Sequence, residues 1–329
     1  MSIKKAIIEL FEEKKELSVK EITELLNVSK QMVHLVVKTL TTENFLEKLG
    51  RTPKTVYRLL DKTDEQYQEQ IGADISSSDR KFLDNHFLMV TETGDMMSGL
   101  SAFSLWCTRR NLPVDKTVLE FIKTKKKYEL YYDGSSLING VEKLKNTKGY
   151  DRIWLDQLYY LDFYAIERFG KTPLGTLLHF AKQGQNKHLM SLLLKEIEDR
   201  IHEFLKSAKI DAVGFVPPTI RREVQLMKFL QNQLKIPLPI LDIKKISGII
   251  PVPQKSLSKL DERIRNADKT FAVTNQGTFE HVLLIDDAVG SGATLNQIAK
   301  KIKTKKIAPK ITGLAIVGSF KGFDVITDV

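Results

Sequence analysis

Apolar residues recur at helical spacing from the start of the chain. Ile3, Ile7, Ile8 and Phe11 mark a first helix. Ser18 precedes the run 19–26, with Glu21 three residues on, a capping box that opens a second helix. Asn27-Val28-Ser29 makes a tight turn, and Ser29 caps a third helix with Met32, Val33, Val36, Val37 and Leu40 on its inner face. Residues 45–49 and 54–59 flank Gly50-Arg51-Thr52-Pro53 and read as a hairpin with a basic tip. Residues 1–60 are therefore expected to form an α+β domain of three helices and a hairpin. Residues 61–80 are polar, with Ser76-Ser77-Ser78 near their end, and read as a linker. Mixed helix-like stretches over 82–149 complete a mainly helical middle region, 61–154.

The pattern changes at Leu155. Residues 159–168 and 174–181 are apolar-periodic, 182–186 are a polar turn, and 188–206 form a long amphipathic helix. Residues 212–216, 282–285 and 313–318 are continuous apolar runs, the mark of strands covered on both faces of a parallel sheet. Residues 155–329 are expected to form an α/β domain, making the chain multidomain.

Composition narrows the function classes. Hydrophobic residues make up 42% and charged residues 28% of the 329 positions, ordinary for a globular protein. No apolar run approaches the roughly 18 residues that span a bilayer, and Met1-Ser2-Ile3-Lys4-Lys5 lacks a leader's apolar core. A single cysteine, Cys107, excludes an internal disulfide and a cysteine-based zinc cluster. A cytoplasmic protein with no membrane partner is expected. The net charge of +10 permits nucleic-acid contact. The lysines between 300 and 310, and the run Lys123-Thr124-Lys125-Lys126-Lys127, read as solvated faces, and Phe103, Trp106, Phe121 and Tyr128 as core. Phe169-Gly170-Lys171-Thr172 hints at a Walker lysine, but Ala165 stands where the motif needs glycine and no apolar strand is expected before it.

The chemistry concentrates in 281–295. An apolar strand runs into two carboxylates, Asp286 and Asp287, expected at its carboxyl end, where open α/β sheets bind ligands. Carboxylates accept hydrogen bonds from sugar hydroxyls and hold Mg²⁺. Gly290 and Gly292 let the backbone approach a ligand closely, Ser291 and Thr294 add hydroxyls, and a helix starting near Ala293 offers its positive end to a phosphate. A dinucleotide fingerprint fits less well, because the third glycine is missing and its acid would lie downstream of the loop.

This run resembles the phosphoribosyl pyrophosphate (PRPP) motif of type I phosphoribosyltransferases. The resemblance implies that Asp286 and Asp287 hold the ribose hydroxyls and Mg²⁺, and that Gly290, Ser291, Gly292, Ala293 and Thr294 cradle the 5′-phosphate. The later half of the chain looks like the ComF-like branch of that family. It implies a pyrophosphate loop after the 212–216 strand, at Pro218, Thr219, Arg221 and Arg222. It also implies a hood containing Gln254 and Lys255, followed by Leu257, Arg263, Asn266 and Phe271. The family's Arg-Gly-Phe-Asn-Gln-like motif is absent, with Arg222-Glu223-Val224-Gln225 in its place, and so is the cysteine-rich zinc element of ComF-like proteins.

The first sixty residues look like a winged helix-turn-helix. That resemblance implies a third helix in the major groove of double-stranded DNA, presenting Lys30, Gln31, His34 and Lys38. Hairpin residues Lys48, Arg51, Lys54 and Arg58 would reach the phosphates, and a palindromic site would call for a homodimer. Two functions follow. One is transfer of phosphoribosyl from PRPP to an unidentified nitrogenous base acceptor with pyrophosphate release. The other, resembling in architecture the purine repressor of Gram-positive bacteria, is a non-catalytic transcriptional regulator that senses PRPP.

Overall fold

The computed structural model describes residues 3–42, 45–51, 53–59, 75–218, 222–246, 257, 259–274 and 277–321. The chain divides into two compact units, Met1–Ala73 and Asp74–Val329.

The first unit carries α1 (Ile3–Glu13), α2 (Val19–Leu26), α3 (Lys30–Thr42), β1 (Leu46–Leu49) and β2 (Val56–Leu59). The capping box forms as its sequence dictates. The Ser18 hydroxyl accepts the Glu21 N–H at 3.3 Å, and the Ser18 N–H donates to Glu21 Oε2 at 2.7 Å. Asn27, in the left-handed region at φ 51°, ends α2. β1 and β2 pair antiparallel, and Leu17 bridges to the other edge of β2 by exchanging backbone hydrogen bonds with Tyr57 at 2.8 and 2.9 Å. Ile7, Ile22, Val33, Val37, Leu40 and Leu46 fill the core between these elements. Met32, expected on the inner face of α3, is instead 48% exposed, and Leu35 is 70% exposed. At 100° per residue Val33, Val37 and Leu40 already define the buried stripe, and Met32 falls outside it.

The second unit is built on a five-stranded sheet. Its strands are β5 (Ile138–Asn139), β6 (Gln157–Phe163), β9 (Ala212–Phe215), β12 (His281–Val289) and β13 (Lys310–Gly318), in the order β5-β6-β13-β12-β9. The last four run parallel and β5 joins antiparallel at the edge. β6 is the strand hidden in the stretch that reads as merely apolar-periodic, and its final four residues are all buried. α8 (Pro173–Gln183), α9 (Lys187–Ser207) and α10 (Leu226–Gln233) cover one face, burying Leu177, Leu178, Leu193, Ile197 and Leu230 against Leu161, Leu283, Ile285, Leu314 and Ile316. Each such side chain contributes roughly 1.5–3 kcal/mol on burial. α11 (Leu260–Thr270) packs on α12 (Ala293–Thr304), and β10 (Ile243–Lys245) pairs with β11 (Phe271–Val273).

The boundary expected at 154/155 does not separate compact units. α4 (Ser77–His86), part of which was expected to be linker, starts at a Ser76 cap. It is followed by the hairpin β3 (Leu88–Val90) and β4 (Met96–Ser98), by α5 (Gly99–Thr108) and α6 (Val114–Glu129), and by α7 (Val141–Asn146). Phe103 and Phe121 pack on Phe169 at ring separations of 6.4 and 5.2 Å, and β5 completes the sheet edge. The apolar faces of the middle helices are buried by the α/β half, so the two form one body. Phe169 belongs to a short turn between the two-residue strands β7 (Ala165–Ile166) and β8 (Gly170–Lys171). Although β6 does precede it, the 169–172 stretch has a structural task. Thr172 caps α8, accepting the Gly175 N–H at 3.0 Å and donating to the Phe163 carbonyl at 2.7 Å. Among the described residues no helix is long and apolar enough to cross a membrane.

Candidate functional site

The carboxyl ends of β6, β9, β12 and β13 meet at one edge of the sheet. A cavity of about 420 Å³ opens there. Asp286, Asp287 and the whole of 290–294 line it, with Pro218, Tyr164, Lys182, Arg263 and Ser319.

β12 does not stop at the acids. It continues through Asp286, Asp287 and Ala288 to Val289, pairing Asp286 with Ala315 and Val289 with Gly318, because β13 is long enough to carry the ladder on. Successive strand residues point to opposite faces, so the two carboxylates are not equivalent. Asp287 lies on the α8 side, is 6% exposed and is ion-paired with Lys182. Asp286 is half-buried, and its Oδ1 accepts the Asp287 N–H at 2.8 Å.

The loop itself is three residues, 290–292, and α12 begins at Ala293 as the sequence indicates. A Cβ at Gly290 would meet nothing within 4 Å, so that position faces open space. Gly292 has φ +82° and a Cβ there would lie 2.7 Å from Leu144 Cδ1, so both conformation and space demand glycine. The Ser291 carbonyl accepts the Tyr150 hydroxyl at 2.8 Å, and burial pushes that phenol up to about 12. Asn296, on the first turn of α12, accepts the Trp154 N–H at 2.6 Å and donates to the Arg152 carbonyl at 3.0 Å. The positive end of α12 is thus held against the cavity by residues far away in sequence.

Lys143 supports the opposite wall. Its ammonium donates to the Ser319 carbonyl at 2.5 Å, and burial pulls its pKa down from 10.5 to about 8. A lysine whose folded pKa lies below its unfolded one costs stability fully below pH 8, and the cost vanishes above pH 10.5. Lys143→Met is expected to stabilise the protein by about 2 kcal/mol at pH 7, after allowing for the lost hydrogen bond. Urea unfolding at several pH values should show that advantage fading between pH 8 and 10.5; a pH-independent difference would refute the titration.

Several expected residues converge here: Asp286, Asp287, Gly290, Ser291, Gly292, Ala293, Thr294 and Pro218 share the cavity. Arg222 is placed elsewhere. Its guanidinium donates to the Lys182 carbonyl and, at 2.7 Å, to Gln183 Oε1, so it binds the end of α8. Thr219, Arg221, Gln254 and Lys255 lie outside the described residues. Arg263 reaches the cavity and donates to the Leu257 carbonyl at 2.8 Å. Lys182, Tyr150 and Lys143 were missed by sequence reasoning. Lys182 reads as a polar-turn residue, and no local signal ties it to an acid 105 positions later.

Among the described residues no three His, Cys, Asp or Glu side chains cluster as a metal cage. The donor set is two carboxylates, one of them neutralised by Lys182. It fits a Mg²⁺ ion carried in with ligand phosphates, which such ions retain as ligands.

In the first unit, Lys30, Gln31, His34 and Lys38 are exposed along α3, and Lys48, Arg51 and Lys54 are exposed at the hairpin. Arg58 is ion-paired across the hairpin with Glu47, its register partner.

The chain matches no family model and no curated protein. Among solved structures it is similar to one titled as a purine phosphoribosyltransferase from Pyrococcus horikoshii Ot3. That match has 19% identity, covers 41% of this chain and 93% of that one, and has a TM-score of 0.21.

Proposed function

We propose that the second unit binds PRPP and transfers its phosphoribosyl group to a nitrogenous acceptor, releasing pyrophosphate. The observation that carries this reading is the convergence of Asp286, Asp287 and the 290–294 loop on one cavity at the carboxyl edge of a parallel sheet. In it, the loop N–H groups and the start of α12 hold the 5′-phosphate. Asp286 and Asp287 accept hydrogen bonds from the ribose hydroxyls and stabilise the positive charge that develops as the bond from C1 to pyrophosphate breaks and the acceptor nitrogen bonds to C1. Asp286, with the ligand's own phosphates, would hold a Mg²⁺ ion, which would supply positive charge toward the leaving group. Calorimetry with PRPP and Mg²⁺ is expected to show one site per chain, and absence of binding at millimolar PRPP would sink the proposal. Pyrophosphate release with a panel of nitrogenous bases identifies the acceptor.

A second reading is favoured by the first unit. Three helices followed by a hairpin, with Lys30, Gln31, His34 and Lys38 exposed on α3, suit a winged helix on double-stranded DNA. PRPP would then be an effector that changes DNA affinity through coupling between two sites. DNA binding measured in a salt titration, with and without PRPP, tests it. A binding curve indifferent to PRPP, alongside turnover with a base, would leave the enzyme reading alone.

A further inference from the structure

We infer that Lys182, at the end of α8, is the cation that receives the pyrophosphate group of the ligand, exchanging Asp287 for it as the ribose hydroxyls arrive. This rests on the PRPP reading and adds a residue that neither the motif nor the expected pyrophosphate loop contains. Three observations carry it.

First, Lys182 and Asp287 are ion-paired inside the cavity and both line it. Their side chains are 23% and 9% exposed, so neither charge is strongly screened by water. An Asp287 carboxylate engaged with an ammonium has that much less capacity to accept sugar hydroxyls. A ligand that brings both hydroxyls and phosphates resolves the conflict, because each partner gains a replacement of the right chemistry. Lysine suits the exchange, being a point charge on a flexible stem.

Second, Arg222, one of the two arginines expected on the pyrophosphate side, is occupied. Arg222 donates both to the Lys182 carbonyl and to Gln183 Oε1. The Val224 N–H donates to Gln185 Oε1 at 2.9 Å, so 222–224 is stitched to the turn at the end of α8. A helix C-terminus is the negative end of its dipole and disfavours an anion nearby. A guanidinium on one of its last carbonyls offsets that field. Arg222 is therefore a positioning residue, and Lys182 is the group it positions.

Third, the cavity's charges favour it. Its described lining balances two carboxylates with two cations, Lys182 and Arg263. A diphosphate, even with Mg²⁺ on it, brings net negative charge toward Asp286 and Asp287, and turning Lys182 onto it reduces that repulsion.

The test is calorimetry of the full chain with Mg²⁺ and three probes: PRPP, inorganic pyrophosphate and ribose 5-phosphate. Lys182→Ala and Lys182→Gln are expected to weaken PRPP and pyrophosphate about 10- to 100-fold, the loss of one charge-assisted contact. Ribose 5-phosphate should bind as well as to the wild type or better, since Asp287 is released. Lys182→Arg should recover part of the pyrophosphate affinity, and Arg222→Ala should shift the same selectivity in the same direction by a smaller factor. If Lys182→Ala leaves PRPP and pyrophosphate affinity unchanged, or alters all three probes equally, Lys182 only neutralises Asp287 and the inference is overturned. If the wild type binds none of the three probes, the PRPP reading itself has failed, a result distinct from either.

Discussion

Asp287→Ala is expected to weaken PRPP binding about 100-fold, close to 2.7 kcal/mol. The carboxylate is nearly buried at the cavity wall, so water cannot substitute for it as an acceptor. The same change strands the Lys182 ammonium, and removing one partner of a partly buried pair costs more than the pair was worth. A stability loss of about 1–3 kcal/mol should accompany the affinity loss. The two effects separate in the double variant Lys182→Ala with Asp287→Ala, which should regain most of the stability and none of the affinity for ribose 5-phosphate. Calorimetry and urea unfolding on the four proteins close a double-mutant cycle. Wild-type PRPP affinity in Asp287→Ala would remove the carboxylate from the site.

Gly318→Ala is expected to be the most damaging single methyl in the second unit. A Cβ at 318 would lie 2.0 to 2.4 Å from the ring atoms of Tyr160, and nothing about a rigid ring can give. Tyr160 is fully buried, and a Cβ at Gly140 would also sit 2.7 Å from the ring. Two backbones thus crowd the same ring, so overpacking should cost about 3 kcal/mol and lower the melting temperature by roughly 10 °C. Because Gly318 closes β13 beside the cavity, PRPP affinity should fall with it. Pairing the change with Tyr160→Leu frees the space and should restore part of the melting temperature. A Gly318→Ala protein that melts like the wild type would contradict the packing.

The parts of the molecule legible in the sequence are those whose signal is local. The Ser18–Glu21 box, the Gly290–Gly292 loop and the helix start at Ala293 each depend on neighbours within a turn or two, and each can be read from a few residues. The 212–216 and 282–285 strands declared themselves because both faces are covered, which leaves an unbroken apolar run. β6 hid because Tyr159, Tyr160 and Asp162 break that run with polar atoms, and the partner of Asp162 comes from far away in sequence: it accepts the Tyr132 hydroxyl at 2.5 Å. The two acids were found but mistaken for the strand's end, since only β13 reveals how far the ladder extends. Lys182 and Lys143 were invisible for a related reason. Surface lysines and site lysines look alike until the chain has folded.

The three contacts that hold the 290–292 loop and its rim, from Lys143, Tyr150 and Asn296, span 176, 141 and 142 residues of sequence. Contacts of such separation pay their loop-closure entropy before they return any stability. The pocket is therefore expected to form late in folding, after the helices and parallel strands are in place. A fragment starting at residue 155 would keep every residue of the recognisable motif while losing the tyrosine, the lysine and the edge strand that shape it. Recombination or truncation that respects the motif alone would inherit its letters without its geometry.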